Sequence, residues 1–87
     1  MYSFDIKEQL DKVLLKLKKK NPNQFNIVFN KIREIIKNPH HYKNLRKPSQ
    51  HLKRVHIDKS FVLVFSVDED NKNVIFEEFD HHDRIYK

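Results

Sequence analysis

The stretch Asn-Pro-Asn-Gln-Phe-Asn-Ile-Val-Phe-Asn-Lys-Ile-Arg-Glu-Ile-Ile-Lys-Asn-Pro, residues 21–39, decides the fold of this 87-residue chain. Asn21 followed by Pro22 is typical of a helix N-cap with proline at the first helical position. The apolar residues that then recur at helical spacing are Phe25, Val28, Phe29, Ile32, Ile35 and Ile36. Proline disfavours helical backbone at the residue before it, so Pro39 ends this predicted amphipathic helix at Asn38.

A first amphipathic helix is predicted immediately before this stretch, from Lys7 to about Lys20. Its apolar stripe follows the spacing i, i+3, i+4, i+7 and consists of Leu10, Val13, Leu14 and Leu17. Only a short break separates the two helices, which predicts an antiparallel helical hairpin. Residues 2–6 before the first helix alternate between apolar and polar side chains and predict a short strand.

Three apolar-rich runs follow the helical hairpin and predict three further strands. They cover residues 52–57, 61–67 and 74–79, with a polar loop at 40–50 and a hairpin connection at 68–73. The second run is nearly all apolar, as expected of a central strand. The predicted order is β-α-α-β-β-β. This is an α+β fold in which the helical hairpin packs on one face of an antiparallel sheet, in a single domain spanning residues 1–87.

The charge of the chain is unevenly distributed. Its net charge is +6: residues 1–50 carry 12 Lys and Arg against 4 Asp and Glu, a balance of +8, and residues 51–87 carry 6 against 8, a balance of −2. Such a cationic surface favours a polyanion or an acidic protein as partner, the alternative being a surface that only serves solubility. The chain has no cysteine and no apolar run near the ~20 residues that span a bilayer, so we expect a cytoplasmic protein that binds no membrane.

Four residues with acid–base or phosphate-binding side chains are predicted to meet on one face of the sheet. Successive strand side chains alternate, so Arg54 and His56 face away from the helices if their apolar neighbours face towards them. His82 and Tyr86 follow the last strand and can fold over the same face. Four cationic residues form the predicted RNA-binding rim: Arg46, Lys47, Lys53 and Arg84.

This set of side chains suits the cleavage of RNA, which carries its own nucleophile in the 2′-hydroxyl. Histidines can transfer the protons, a cation can stabilise the crowded phosphate, and Tyr86 can stack on a base. We expect Tyr42 to anchor the loop instead. The plainer explanations are a solvent-facing strand residue for His56, a polar tail for His82 and a cap on the core edge for Tyr86.

No metal or cofactor is expected at this site. The histidine pairs at 40–41 and 81–82 consist of adjacent residues, and the chain has neither cysteine nor two histidines at the spacing i, i+4. Tetrahedral zinc sites are built from those spacings. The chain also contains no glycine, and therefore no Gly-rich phosphate loop.

The chain resembles the RelE/ParE toxin superfamily of toxin–antitoxin modules over nearly its whole length. The similar stretches are Ile-Ile-Lys-Asn-Pro at 35–39, the loop and strand from Leu-Arg-Lys-Pro at 45–48 to Leu-Lys-Arg-Val-His-Ile at 52–57, and His-His-Asp-Arg-Ile-Tyr at 81–86. The last stretch is similar to the closing His-Arg-Asp-x-x-Tyr of the family. The resemblance implies a metal-independent ribonuclease that cuts messenger RNA, usually in the ribosomal A site, and a partner that is an acidic antitoxin of the RelB type.

The resemblance also implies roles for individual residues. Arg54 and His56 match basic positions on the second strand, His82 matches the catalytic basic position of the tail, and Tyr86 matches its aromatic residue. The two histidines are closer to the YafQ-like branch than to RelE itself. Val62 departs from the RelE pattern, which has an arginine at this position. The departure leaves two alternatives open: a ParE-like inhibitor of DNA gyrase, and a non-catalytic RNA-binding module.

Overall fold

The computed structural model describes residues 1–47 and 50–86, so that Pro48 and Ser49 of the predicted loop and Lys87 of the tail lie outside the described residues. The four strands are β1 (Ser3–Ile6), β2 (Lys53–Ile57), β3 (Phe61–Asp68) and β4 (Asn73–His81). The helices are α1 (Glu8–Lys20), α2 (Pro22–Lys37) and the one-turn α3 (His82–Ile85), and a 3₁₀ turn spans Pro39–His41. The predicted α+β fold and order of elements are confirmed, and the 3₁₀ turn and α3 are additions to it.

The start of α2 has the predicted cap. The Asn21 side chain accepts a hydrogen bond from the Gln24 backbone N–H at 3.1 Å, and Pro22 occupies the first turn. This side-chain acceptor satisfies one of the backbone donors that every helix N-terminus leaves unpaired. The boundary between α1 and α2 is therefore set by two adjacent residues.

The sheet is mixed, with strand order β1-β4-β3-β2. Strands β2, β3 and β4 are antiparallel as predicted, but β1 pairs with β4 in parallel, so the prediction of a wholly antiparallel sheet was wrong at this edge. The reason is the path of α2. Its last turn reaches the start of β1, where the Tyr2 N–H donates to the Ile36 carbonyl at 2.9 Å. Strands β1 and β2 start at the same end of the sheet and run in the same direction. The turn after β2 and the hairpin after β3 each reverse the chain, so β4 also runs parallel to β1.

The core lies between the helical hairpin and one face of the sheet. Strand β4 contributes Val74, Phe76 and Phe79, whose spacing violates strict alternation. A register shift opposite Val64 and Phe65 leaves Glu77 as an extra residue, so that both phenylalanines face the helices. Fully burying such a side chain contributes roughly 1.5–3 kcal/mol, which explains why the strand tolerates the bulge.

Within the ranges described, every helix is too short or too polar to cross a membrane.

Candidate active site

The tail folds back over the sheet as an ordered turn. The His82 N–H donates to the Ser60 carbonyl at 2.6 Å, which fixes α3 to the turn between β2 and β3. The His81 ring nitrogen Nδ1 accepts from the Asp83 N–H at 3.2 Å and caps the turn. The Tyr86 N–H then donates to the His82 carbonyl at 3.1 Å. These three bonds hold His82 and Tyr86 on the face opposite α1 and α2.

The four predicted chemical residues do come together, and we call Arg54, His56, His82 and Tyr86 the tail cluster. The rings of His56 and His82 stack with centroids 5.7 Å apart, and those of His82 and Tyr86 lie 4.6 Å apart. The His56 and Tyr86 centroids are separated by 6.4 Å, and the Arg54 guanidinium carbon is 5.8 Å from the centre of the Tyr86 ring. Aromatic and cation–π contacts at these distances are attractive. Side chains of β2 and of the C-terminal tail, which are distant in sequence, therefore lie together.

The tail cluster is open to solvent. His56 is exposed, the His82 side chain is 46% accessible and Tyr86 is 38% accessible. Titratable rings at a surface can reach a large substrate without any opening of the fold. The arrangement can therefore transfer protons and hold an anion on a polymer that binds across the surface.

The outer face of the sheet is only partly cationic. His56 on β2 is in register with Val62 on β3, which is in register with Asp80 on β4. Arg54 likewise faces Glu78 across Val64. The prediction of a cationic outer face was therefore wrong for its β4 side, because two carboxylates lie there. On this face Arg54 and His56 lie on β2, and Glu78 and Asp80 lie on β4.

Val62, the position of the family arginine, is fully buried in the middle of this face. Alternation points it away from the helical hairpin. Its cross-strand neighbour His56 stacks on His82 of α3, so the valine lies beside the tail and offers it no charge. It also leaves Arg54 as the strand cation next to the stacked rings.

Of the predicted rim residues, Lys53 lies elsewhere. It shares the side of β2 with Val55, and its ammonium group donates to the Tyr42 carbonyl at 3.1 Å and to the Asn44 side chain at 2.9 Å. Placing Lys53 in the rim was thus wrong, because the alternation that turns Arg54 outward turns Lys53 inward. The Tyr42 ring packs edge-on against Phe65 at 5.8 Å, which confirms it as a loop anchor.

The other rim residues are exposed. Arg46 and Lys47 lie in the loop before β2, and Arg84 is on α3 with its guanidinium Nη1 3.5 Å from an Asp80 carboxylate oxygen. This ion pair is solvent-accessible and therefore weak. Arg84 lies on the same short helix as His82, and Arg46 and Lys47 lie in the segment that leads into β2.

Sequence reasoning missed Asp83, which contacts both histidines of the tail. Its carboxylate lies 3.4 Å from His82 Nδ1 and 3.7 Å from His81 Nδ1. For His82, a carboxylate beside Nδ1 favours the tautomer with its hydrogen on that atom and leaves Nε2 available for chemistry. The adjacency of His82 and Asp83 in the sequence was the available signal. In the part of the chain that the structure describes, no three His, Asp or Glu side chains are grouped so as to hold a metal ion.

Comparison with known proteins identifies the family, although no family model matches the chain. A protein of Methanocaldococcus jannaschii assigned as a toxin under the name RelE4 is 60% identical over 87 residues, which cover 100% of this chain and 93% of that protein. An uncharacterized protein of Methanosarcina mazei is 56% identical over 99% of this chain and 100% of its own length.

Solved toxin structures share the fold at low sequence identity. The toxin–antitoxin complex RelBE2 of Mycobacterium tuberculosis matches with a TM-score of 0.78 at 18% identity, over 93% of this chain and 98% of that chain. YafQ of E. coli matches with a TM-score of 0.75 at 16% identity, over 100% of both chains. With the close sequence relative and these folds together, the chain belongs to the RelE family of toxins.

Proposed function

We propose that this protein is the toxin of a type II toxin–antitoxin module and acts as a metal-independent endoribonuclease that cuts messenger RNA at the ribosome. The observation that carries the proposal is the tail cluster, in which two stacked imidazoles adjoin a tyrosine ring that faces a guanidinium. Translating ribosomes would make the cytoplasm its place of action. Membership of the RelE family supports the general reaction.

In the proposed reaction the 2′-hydroxyl of the RNA attacks the adjacent phosphorus. One histidine removes the hydroxyl proton and the other protonates the leaving 5′-oxygen, as general base and general acid. His56 and His82 are the two candidates, with ring centroids 5.7 Å apart, and the proposal leaves the two roles unassigned between them. Because the nucleophile belongs to the substrate, the enzyme supplies only proton transfer and charge.

The charge would come from Arg54. It is the strand cation beside the rings, and Val62 offers none. A guanidinium can donate two parallel hydrogen bonds to phosphate oxygens as negative charge accumulates on them. Tyr86 would stack on a neighbouring base, which requires the partial exposure that its ring has.

The split charge of the outer face suggests a path for the RNA. Glu78 and Asp80 on β4 would repel the phosphate backbone, whereas Arg46 and Lys47 precede β2 on the other side. The strand would therefore approach along β2 and the preceding loop. We expect phosphate contacts to be made there and not across β4.

The proposed partner is an acidic antitoxin of the RelB type. Solved relatives of the fold include toxin–antitoxin complexes from Mycobacterium tuberculosis and E. coli. A chain with a net charge of +6 offers electrostatic complementarity to such a protein. Covering the tail cluster or displacing α3 would abolish cleavage, because proton transfer requires aligned groups.

The test is primer extension on translated mRNA, with and without induction of the toxin. We expect new cleavage sites that appear on induction, appear also with purified ribosomes, message and toxin, and disappear in His82→Ala. The matched control is His40→Ala, which removes a histidine that contacts Glu69, away from the tail cluster. An unchanged cleavage pattern on induction would refute the nuclease. A supercoiling assay with DNA gyrase and an RNA-binding assay would then separate the two alternatives.

A further inference from the structure

Gln24 is a buried polar residue that the proposed reaction does not use. It lies in the first turns of α2 with 9% of its surface exposed. Its side-chain Nε2 donates to the Asp58 carboxylate oxygen Oδ2 at 3.1 Å, across 34 residues of sequence. Burying an amide without a partner is costly, so this bond fixes both side chains. It ties the helical hairpin to the turn between β2 and β3.

That turn has a conformation that needs support. Asp58 has a φ of 55°, in the left-handed region that favours glycine. A non-glycine residue there is strained by roughly 1–2 kcal/mol, and aspartate and asparagine tolerate it best. The chain has no glycine that could adopt this conformation without strain. The hydrogen bond from Gln24 can instead hold Asp58 in place.

The same turn joins the two halves of the tail cluster. His56 precedes Asp58 by two residues on β2, and Ser60 at the other end of the turn accepts the backbone hydrogen bond from His82 at 2.6 Å. The backbone of residues 57–60 therefore fixes where the His82 ring stands against the His56 ring. A change in the turn would change the distance between the two imidazoles.

We propose that Gln24 is a positioning residue for the active site. Gln24 holds Asp58 in its left-handed conformation and thereby fixes the turn whose Ser60 carbonyl anchors α3. The position of that turn sets how the His56 ring is aligned with the His82 ring. The catalytic consequence rests on the proposed nuclease function, whereas the geometric consequence does not. A misplacement of reacting groups by about 1 Å can cost on the order of 100-fold in rate.

The experiment compares three variants of the full chain. Gln24→Leu removes the donor, Asp58→Ala removes the acceptor and the tolerance of positive φ, and Asp58→Asn keeps an acceptor and that tolerance. Glu69→Gln is the control, because it weakens contacts that do not involve the turn. The readouts are the nuclear Overhauser contact between the His56 and His82 rings, the exchange rate of the His82 amide, and kcat and KM for cleavage.

We expect Gln24→Leu and Asp58→Ala to weaken the ring contact, to speed exchange of the His82 amide about 10-fold and to lower kcat about 10-fold or more with little change in KM. Asp58→Asn should resemble the unmodified protein, and Glu69→Gln should leave all readouts at the site unchanged. If Gln24→Leu preserved the ring contact and the amide exchange, the proposal would be overturned. Absence of cleavage in the unmodified protein would refute the nuclease, while the two geometric readouts would still decide the role of Gln24.

Discussion

At the scale of the residue, the valine at position 62 leaves Arg54 as the strand cation of the proposed reaction. Val62 is fully buried and bears no charge, so in the proposed reaction the phosphate needs another cation. Arg54 lies 5.8 Å from the Tyr86 ring, on the same face as both histidines. The cation–π contact with Tyr86 also restrains the guanidinium, whose planar group loses little freedom when it binds a phosphate.

We therefore predict that Arg54→Ala lowers kcat for mRNA cleavage by roughly 100- to 1,000-fold, the usual effect of removing one donor to a developing negative charge. Arg54→Lys should recover only part of this loss, because an ammonium group lacks the planar fork. Arg33→Ala, which removes an exposed helix arginine bonded to Asn30, should leave kcat unchanged. Equal activity of Arg54→Ala and the Arg33 control in single-turnover assays would contradict this role.

At the scale of the element, α2 is the helix that orders the rest of the molecule. Its N-terminus carries the Asn21 cap and the Gln24 side chain that holds Asp58, and its C-terminus reaches Tyr2. Consequently one helix sets the turn beneath the tail cluster at one end and the start of β1 at the other. Its cap should then matter for the stability of the whole fold.

We predict that Asn21→Ala lowers the free energy of unfolding by about 1 kcal/mol, the usual loss for a helix cap. Asn21→Asp should retain most of the stability, because its carboxylate can accept the same hydrogen bond from the Gln24 N–H. Urea denaturation followed by circular dichroism measures both values. A loss in Asn21→Asp as large as that in Asn21→Ala would show that the side-chain acceptor is unimportant.

At the scale of the whole molecule, one carboxylate joins three segments that are distant in sequence. The Tyr2 hydroxyl donates to both Glu69 oxygens at 2.9 Å, and the His40 ring lies 2.8 Å from one of them. Lys72 forms an ion pair with the same group. The N-terminus, the turn after α2 and the β3–β4 hairpin therefore meet at Glu69, where β1 and β4 begin.

The hydrogen bond from Lys72, followed by those from His40 and Tyr2, lowers the pKa of Glu69 from its ordinary value of 4.5 to about 2. A carboxyl group with a lowered pKa stabilises the fold above its ordinary pKa. This contribution is lost as the pH falls from 4.5 towards 2. We predict that Glu69→Gln lowers the melting temperature at pH 7 and that the difference from the unmodified protein disappears near pH 2. Added salt should reduce the difference at pH 7, because Glu69 is solvent-accessible. A difference that stayed constant between pH 7 and pH 2 would contradict the assignment.

The net charge of +6 is a property of the whole molecule, and it affects the rate at which charged partners associate. We predict that association with the acidic antitoxin slows at least about 10-fold as the salt concentration rises from about 0.05 M to 0.5 M, since salt screens electrostatic steering. Stopped-flow mixing with the product of the adjacent gene measures the rate, and sucrose at matched viscosity is the control. An association rate that does not change with salt would refute electrostatic steering. Full mRNA cleavage by the toxin–antitoxin complex would refute inhibition of the toxin by the antitoxin.

The sequence by itself determined the elements and most of the tail cluster. Helical spacing, the Asn21–Pro22 pair and strand alternation each depend on residues only a few positions apart, so they can be read without a fold. Alternation also turned Arg54 and His56 outward, and applied to Lys53 it would have turned that lysine inward. The family resemblance supplied the matching positions His82 and Tyr86.

Only the tertiary structure decided which strands are neighbours and what faces the histidines. The parallel pairing of β1 with β4, the bulge at Glu77, the carboxylates on β4 and the bond from Gln24 to Asp58 all join segments far apart in the chain. Such contacts form because the chain must close around one core, and no local pattern encodes the partner. The apolar spacing of Val74, Phe76 and Phe79 was visible in the sequence, but only packing against the helices required the strand to bulge.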